Sequence, residues 1–135
     1  MQFKMAGPAL DDVIRTAELR TALRKFLREN DRVAARHGLT PQRYLLLLMV
    51  KGAPDRTERS TVTDLSHRLQ LAQHTVTELV GRMVKAGLIR RTASAVDRRV
   101  VYLTLTPRGE RKLAMSFTDL EGERRSLIEV ARTGP

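Results

Sequence analysis

The stretch from Gly87 to Gly109, GLIRRTASAVDRRVVYLTLTPRG, restricts the possible folds more than any other part of the chain. It reads as two short strands, Leu88 to Ala93 and Arg99 to Leu105, joined by a cationic loop. Val101, Leu103 and Leu105 alternate with Val100, Tyr102 and Thr104, the period of a strand packed mainly on one face. Thr106-Pro107 then opens a helix, with a hydroxyl at the N-cap and proline at the first helical position, where its missing N–H costs nothing. Upstream, a helix running from about Gln73 to Lys85 ends at Ala86-Gly87. In this order of helix, strand, basic loop and strand, the helix can enter a DNA major groove. The loop can then carry arginine to the backbone or the minor groove.

The remaining segments fit around that unit. Leu10 to Arg36 reads as one long helix, with Leu19, Ala22, Leu23, Phe26, Val33 and Ala34 recurring at three- and four-residue steps. Asn30 interrupts the stripe and Gly38 ends the helix. So long a first helix has more apolar surface than a small domain needs, and part of it is expected to pack against another subunit. Thr40-Pro41 starts a second helix, and the uninterrupted apolar run Tyr44 to Val50 predicts burial on most sides. Tyr44 and its aliphatic neighbours are read as core in preference to a ligand cleft. Ala53 to Ser60 reads as a polar loop, and Thr61 to Leu69 as a short third helix with Thr61 and Asp64 at capping-box spacing. Together with the Gln73–Lys85 helix it forms a candidate helix-turn-helix, although Gln70-Leu71-Ala72 supplies no turn glycine. After Thr106-Pro107 the last helical stretch carries Leu113 and Phe117. Gly122 is where it is expected to kink or divide.

Composition narrows the partners. The 135 residues suit one domain with a modest core, and a net charge of +10 calls for a polyanion, nucleic acid before membrane surface. Five aromatic residues are too few for stacking on single-stranded bases. The absence of cysteine removes disulfides, thiolate metal sites and thiol redox sensing. No apolar run approaches a membrane span, and MQFKMAGPAL lacks the apolar core of a signal peptide, so a cytoplasmic protein without membrane partners is expected. His37, His67 and His74 fall in different elements without metal-ligand spacing. No phosphate-cradling glycine loop or nucleophile signature occurs. The expectation is therefore no enzyme, no catalytic residues, no metal and no cofactor.

On the Gln73–Lys85 helix, Val76, Leu79, Val80 and Met83 share one face and should pack on Leu65 and Leu69. The opposite face presents Gln73, His74, Thr77, Glu78 and Gly81, flanked by Thr75 and Arg82. Short polar groups near the N-terminal end are what a recognition helix needs. Gln73 is suited to adenine N6 and N7, and Thr77 to a thymine methyl. Glu78 either accepts from cytosine N4 or holds Arg82 four residues on. A polar face alone marks any amphipathic surface helix; the adjoining basic loop makes it a DNA-binding candidate. Arg82, Lys85, Arg90, Arg91, Arg98 and Arg99 crowd residues 82–99 against a single acid, Asp97. Asp97, two residues before Arg99, is placed to accept from that guanidinium and fix its direction. Thr61, Arg90 and Arg91 are further candidates for contact with the DNA backbone.

Three motifs carry a family resemblance: VTDLSHRLQLAQHTVTELVGRMVKAGLIRR, the loop and strand ASAVDRRVVYLTLT, and LTPRG at their exit. Over about residues 10–120 they resemble the MarR family of bacterial winged helix-turn-helix regulators. The resemblance implies a mainly α chain with a small β wing, forming a single domain over residues 1–135. Within it, 40–106 would form the DNA-binding core and 10–38 and 107–133 the dimerisation helices. It also implies a homodimer on a near-palindromic duplex site, the Gln73–Lys85 helix in the major groove, and Arg99, oriented by Asp97, in the minor groove. Members usually repress transcription, and many release DNA on binding a small aromatic or phenolic effector. Three positions depart from the family. Ala72 stands where a capping Ser or Asp is usual, at a cost of about 1 kcal/mol; Glu78 stands where relatives are often basic or small; and the C-terminal region is shorter, shifting dimer stability toward Leu10–Arg36. Two other readings keep the fold, a sequence-indifferent architectural DNA binder and a winged-helix protein-interaction module.

Overall fold

The computed structural model describes residues 7–133. Six helices and one hairpin follow in the order α1 (Leu10–Arg36), α2 (Pro41–Lys51), α3 (Val62–Leu69), α4 (Gln73–Lys85), β1 (Ile89–Ala93), β2 (Val101–Leu105), α5 (Pro107–Asp119) and α6 (Glu121–Arg132). This is a helix-turn-helix, α3 and α4, followed by a β wing, with α1, α5 and α6 outside it. The strands pair antiparallel from Ile89 opposite Leu105 to Ala93 opposite Val101.

α2 is the central post. Leu46, Leu47 and Val50 are fully buried, and α2 packs on α1, α4, α5 and β2. The apolar run predicts burial on most sides, and the outcome is narrower: Leu45 is exposed, because an α-helix cannot cover all seven positions with one small domain. Tyr44 is buried in the core, where desolvation raises its phenol pKa. Thr40 Oγ1 accepts from Arg43 N at 3.2 Å and fixes the start of α2. Asn30, the polar interruption in α1, is buried without penalty because its amide donates to the Phe26 carbonyl at 2.6 Å.

The turn between α3 and α4 does without glycine by placing Gln70 in the left-handed region, at φ 55°. Its geometry is held by Leu71 N–H to the Ser66 carbonyl (3.1 Å) and by the Ser66 hydroxyl to the Leu71 carbonyl (2.6 Å). Helix α3 begins one residue later than the spacing predicts, since Thr61 is its cap: Thr61 Oγ1 accepts from Asp64 N at 3.1 Å.

Three further boundaries differ from the sequence reading. β1 begins at Ile89 instead of Leu88. β2 begins at Val101 instead of Arg99, because Val100 N–H closes a turn on the Asp97 carbonyl at 2.9 Å. The C-terminal helical stretch divides at the buried Leu120, and Gly122 lies inside α6. The 53–60 loop is also less free than its polarity suggests. Ser60 is buried and bridges to Leu103 of β2, Arg59 stacks over the Tyr102 ring at 3.8 Å, and Lys51 pairs with both Glu58 and Glu110.

Thr106 joins the wing to α5. Its hydroxyl donates to the Gly87 carbonyl (2.6 Å) and accepts from Gly109 N (3.1 Å), while its own N–H reaches the Leu88 carbonyl (3.1 Å). The end of α4 and the start of α5 are thus clasped together. Thr106→Ala should lower stability by about 1–2 kcal/mol, with Thr106→Ser keeping most of it. Urea unfolding midpoints check this, and equal losses in the two variants would contradict the clasp.

Candidate nucleic-acid interface

Helix α4 shows the two faces that its spacing predicts. Val76, Val80 and Met83 are buried, and Leu79 packs partly against the same core. Gln73, His74, Thr77, Glu78 and Arg82 are exposed, and Thr75 is half-buried at the edge. Ala72 forms no side-chain cap, as its methyl group requires. Gln73 instead donates through Nε2 to Thr63 Oγ1 of α3 at 3.3 Å, which ties the first residue of α4 to the helix beside it.

At the wing, Asp97 and Arg99 form the pair that their two-residue spacing anticipates. Arg99 Nε reaches Asp97 Oδ1 at 3.1 Å, Nη2 reaches Oδ2 at 3.2 Å, and Arg99 N–H also donates to Oδ1 at 3.0 Å. The guanidinium, and after it the backbone N–H, hold the Asp97 carboxyl below the usual carboxylate range. The pair therefore persists through neutral pH. The Arg99 side chain is 90% exposed, so this surface pair contributes direction and little stability. The tip is turned by Ser94, whose hydroxyl accepts from Val96 N and Asp97 N.

These two parts share one surface. Thr61, Thr63, Arg91 and Arg99 line a single groove between the start of α3 and the wing, and Thr63 is the residue that holds Gln73. Arg91 also leans across to α4: its Nη2 lies 3.7 Å from where a Cβ on Gly81 would stand. Arg98 is exposed beside Arg99 at the tip. Arg90 is exposed too, but alternation along β1 turns it away from Arg91, and it does not line the groove. Glu78 forms no ion pair with Arg82 among the described residues. Thr63 is the position that sequence reasoning passed over as a contributor, whereas Gly81 already stands on the outward face that the spacing predicts. The signal for Thr63 was weak, a second hydroxyl at the start of α3.

The outer helices expose apolar side chains. Leu10, Ile14 and Leu27 of α1, Phe117 of α5 and Ile128 of α6 are all substantially exposed. An open groove runs between α1 and α6, lined by Ile14, Ala17, Phe26, Leu127 and Val130 among others. Arg124 lies over the Phe117 ring at 3.4 Å, and His37 pairs with Asp119 at 2.8 Å, tying the end of α1 to the end of α5. No helix among the described residues is long and apolar enough to cross a membrane.

Comparison with known proteins points the same way. Residues 37–100 match the model of the MarR family. An uncharacterized HTH-type transcriptional regulator of Bacillus subtilis (strain 168), YsmB, is 32% identical over 93 residues, which is 69% of this chain and 61% of that protein. The chain thus spans about three fifths of the length of that curated relative. Among solved structures, AbsC of Streptomyces coelicolor, a MarR family transcriptional regulator, superposes with a TM-score of 0.70 at 18% identity, covering 91% of this chain and 82% of that one. A mutant MarR from E. coli complexed with operator DNA gives a TM-score of 0.66 at 18% identity, covering 90% and 85%. At such identities the structures speak for the fold, and the matched segment speaks for descent. That segment contains the helix pair, the first wing strand and the Asp97–Arg99 pair, so over residues 37–100 the chain is similar to the MarR family.

Proposed function

We propose that the protein is a transcriptional regulator that binds duplex DNA as a homodimer, acting as a repressor at a near-palindromic site. One observation carries this reading: the exposed polar face of α4 and the wing arginines border one continuous surface, linked by Thr63. In the proposed complex α4 enters the major groove, with Gln73, His74, Thr75, Thr77, Glu78 and Arg82 at its face. Arg99, aimed by Asp97 and accompanied by Arg98, follows the adjacent minor groove. Thr61 and Arg91 meet the phosphates between them, and Arg90 meets the backbone from the outer side of the wing.

The dimer forms through residues 10–38 and 107–133, and the exposed apolar side chains of α1, α5 and α6 support this. The DNA-binding core is 40–106. Release by a small aromatic or phenolic effector belongs to the same proposal. Since Thr106 clasps α5 to the end of α4, an effector that shifts α5 would respace the two recognition helices. The YsmB relative is named as a regulator, and one of the fold neighbours is complexed with operator DNA; both agree with this reading.

Fluorescence-anisotropy titration against duplexes selected from a random pool tests it. If each dimer neutralises roughly six to ten phosphates, affinity should fall ~10³- to 10⁵-fold between 50 and 200 mM salt. Equal affinity for selected and scrambled duplexes would indicate a sequence-indifferent binder. A folded protein with no affinity for any duplex at low salt would make this winged helix a protein-interaction module.

A further inference from the structure

Helix α4 carries a negative charge where a phosphate-facing helix gains nothing from one. At 3.6 residues per turn, His74, Glu78, Gly81 and Lys85 fall along one line, opposite the buried Val76, Val80 and Met83. Glu78 therefore stands near the middle of the outward face. Its carboxylate is exposed, and no cation lies within ion-pair distance of it among the described residues, although Arg82 and Lys85 follow on the same helix. Beside it, Gly81 presents no side chain, with only the end of Arg91 near its Cβ direction, so the helix backbone can approach a groove floor closely there.

A carboxylate offers acceptors and no donor. Between two rows of phosphates it is repelled and loses hydration unless the groove supplies a donor to it. The major groove has two such donors, the exocyclic amino groups of cytosine (N4) and adenine (N6). Adenine sets its N7 acceptor next to N6, against the second carboxylate oxygen. Cytosine sets a C–H there and repels nothing. We infer that Glu78 is a specificity-determining residue that reads the amino group of one cytosine in each half-site; this rests on the DNA-binding reading above.

The test is selection from a randomised duplex pool by the wild type, Glu78→Gln and Glu78→Ala, with sequencing of the retained fragments. Glu78 is exposed, so both variants should fold. The wild type is expected to retain cytosine at one position per half-site and to lose about tenfold or more in affinity when that base is changed. Glu78→Gln should move the preference at that position to adenine, whose N6 and N7 suit an amide. Glu78→Ala should leave the rest of the site intact and bind all four bases there within about twofold. Three proteins that select the same base at every position would overturn the inference and leave the DNA-binding reading standing. A wild type that retains no duplex at all would overturn both.

Discussion

Gly109→Ala should cost at least about 3 kcal/mol, and the chain is expected to be largely unfolded near the physiological range or to melt far below the wild type. A Cβ at this position would stand 2.2 Å from the Leu88 carbonyl oxygen, 3.2 Å from its carbonyl carbon and 3.3 Å from a Leu47 methyl. Two of those neighbours are backbone at the start of the wing and cannot rotate away. The third belongs to a fully buried side chain of the central helix. Relief requires α5 to lift off the wing, which breaks the Thr106 clasp and opens the core around Leu113. Gly122 is the internal control. Nothing lies within 4 Å of its Cβ position and it is inside α6, so Gly122→Ala should raise stability by about 0.4–1 kcal/mol. Chemical denaturation of the three proteins measures both effects. A Gly109→Ala midpoint equal to wild type would show that α5 meets the wing differently.

Arg99→Ala has the largest effect expected on function. The side chain is almost wholly in solvent and, among the described residues, it pairs with the surface carboxylate of Asp97, so stability should be unchanged. Affinity for duplex should fall by about 10- to 150-fold per wing, the value of one charge-assisted contact, and most of all where A·T-rich flanks narrow the minor groove. Asp97→Ala separates contact from aim. It leaves the arginine in place but frees it from the two-pronged grip of the carboxylate, and the loss should be several-fold smaller than for Arg99→Ala. Gel-shift titrations on duplexes that differ only in their flanks measure both variants. Unchanged affinity of Arg99→Ala for A·T-rich flanks would remove the wing from the interface.

Where local chemistry determines structure, the residues announced it. The bounds of α1 follow from a run without glycine or proline ahead of Gly38. Both Thr-Pro pairs start helices with the hydroxyl accepting from the third residue on. The buried and exposed faces of α4 follow from spacing alone, and the Asp97–Arg99 pair from two-residue proximity in a tight turn. Features that depend on distant partners stayed hidden. Ser60 looks like a loop residue until β2 supplies Leu103 as its partner. Gln70 has no intrinsic taste for left-handed backbone, and the Ser66 hydrogen bonds hold it there. Leu120 divides the C-terminal helices because the core takes up its side chain, whereas Gly122 has the weaker helix propensity and no such tether. Gly109 is the sharpest case. Propensity counts a glycine near a helix start as a weakness, and only the approach of the Leu88 carbonyl explains its presence. Thr63 escaped notice for the same reason, since it matters through a side chain on another element.

The proposed complex makes a geometric demand that composition and fold cannot satisfy alone: two copies of α4 and two wings must engage one double helix together. Hydroxyl-radical footprinting on a selected duplex, combined with the mass of the complex in sedimentation, measures this. Two chains per duplex should protect two equivalent half-sites whose centres lie ~10 bp apart, with further protection in the flanking minor grooves that disappears in Arg99→Ala. One chain per duplex, or a single protected tract unaffected by Arg99→Ala, would contradict it.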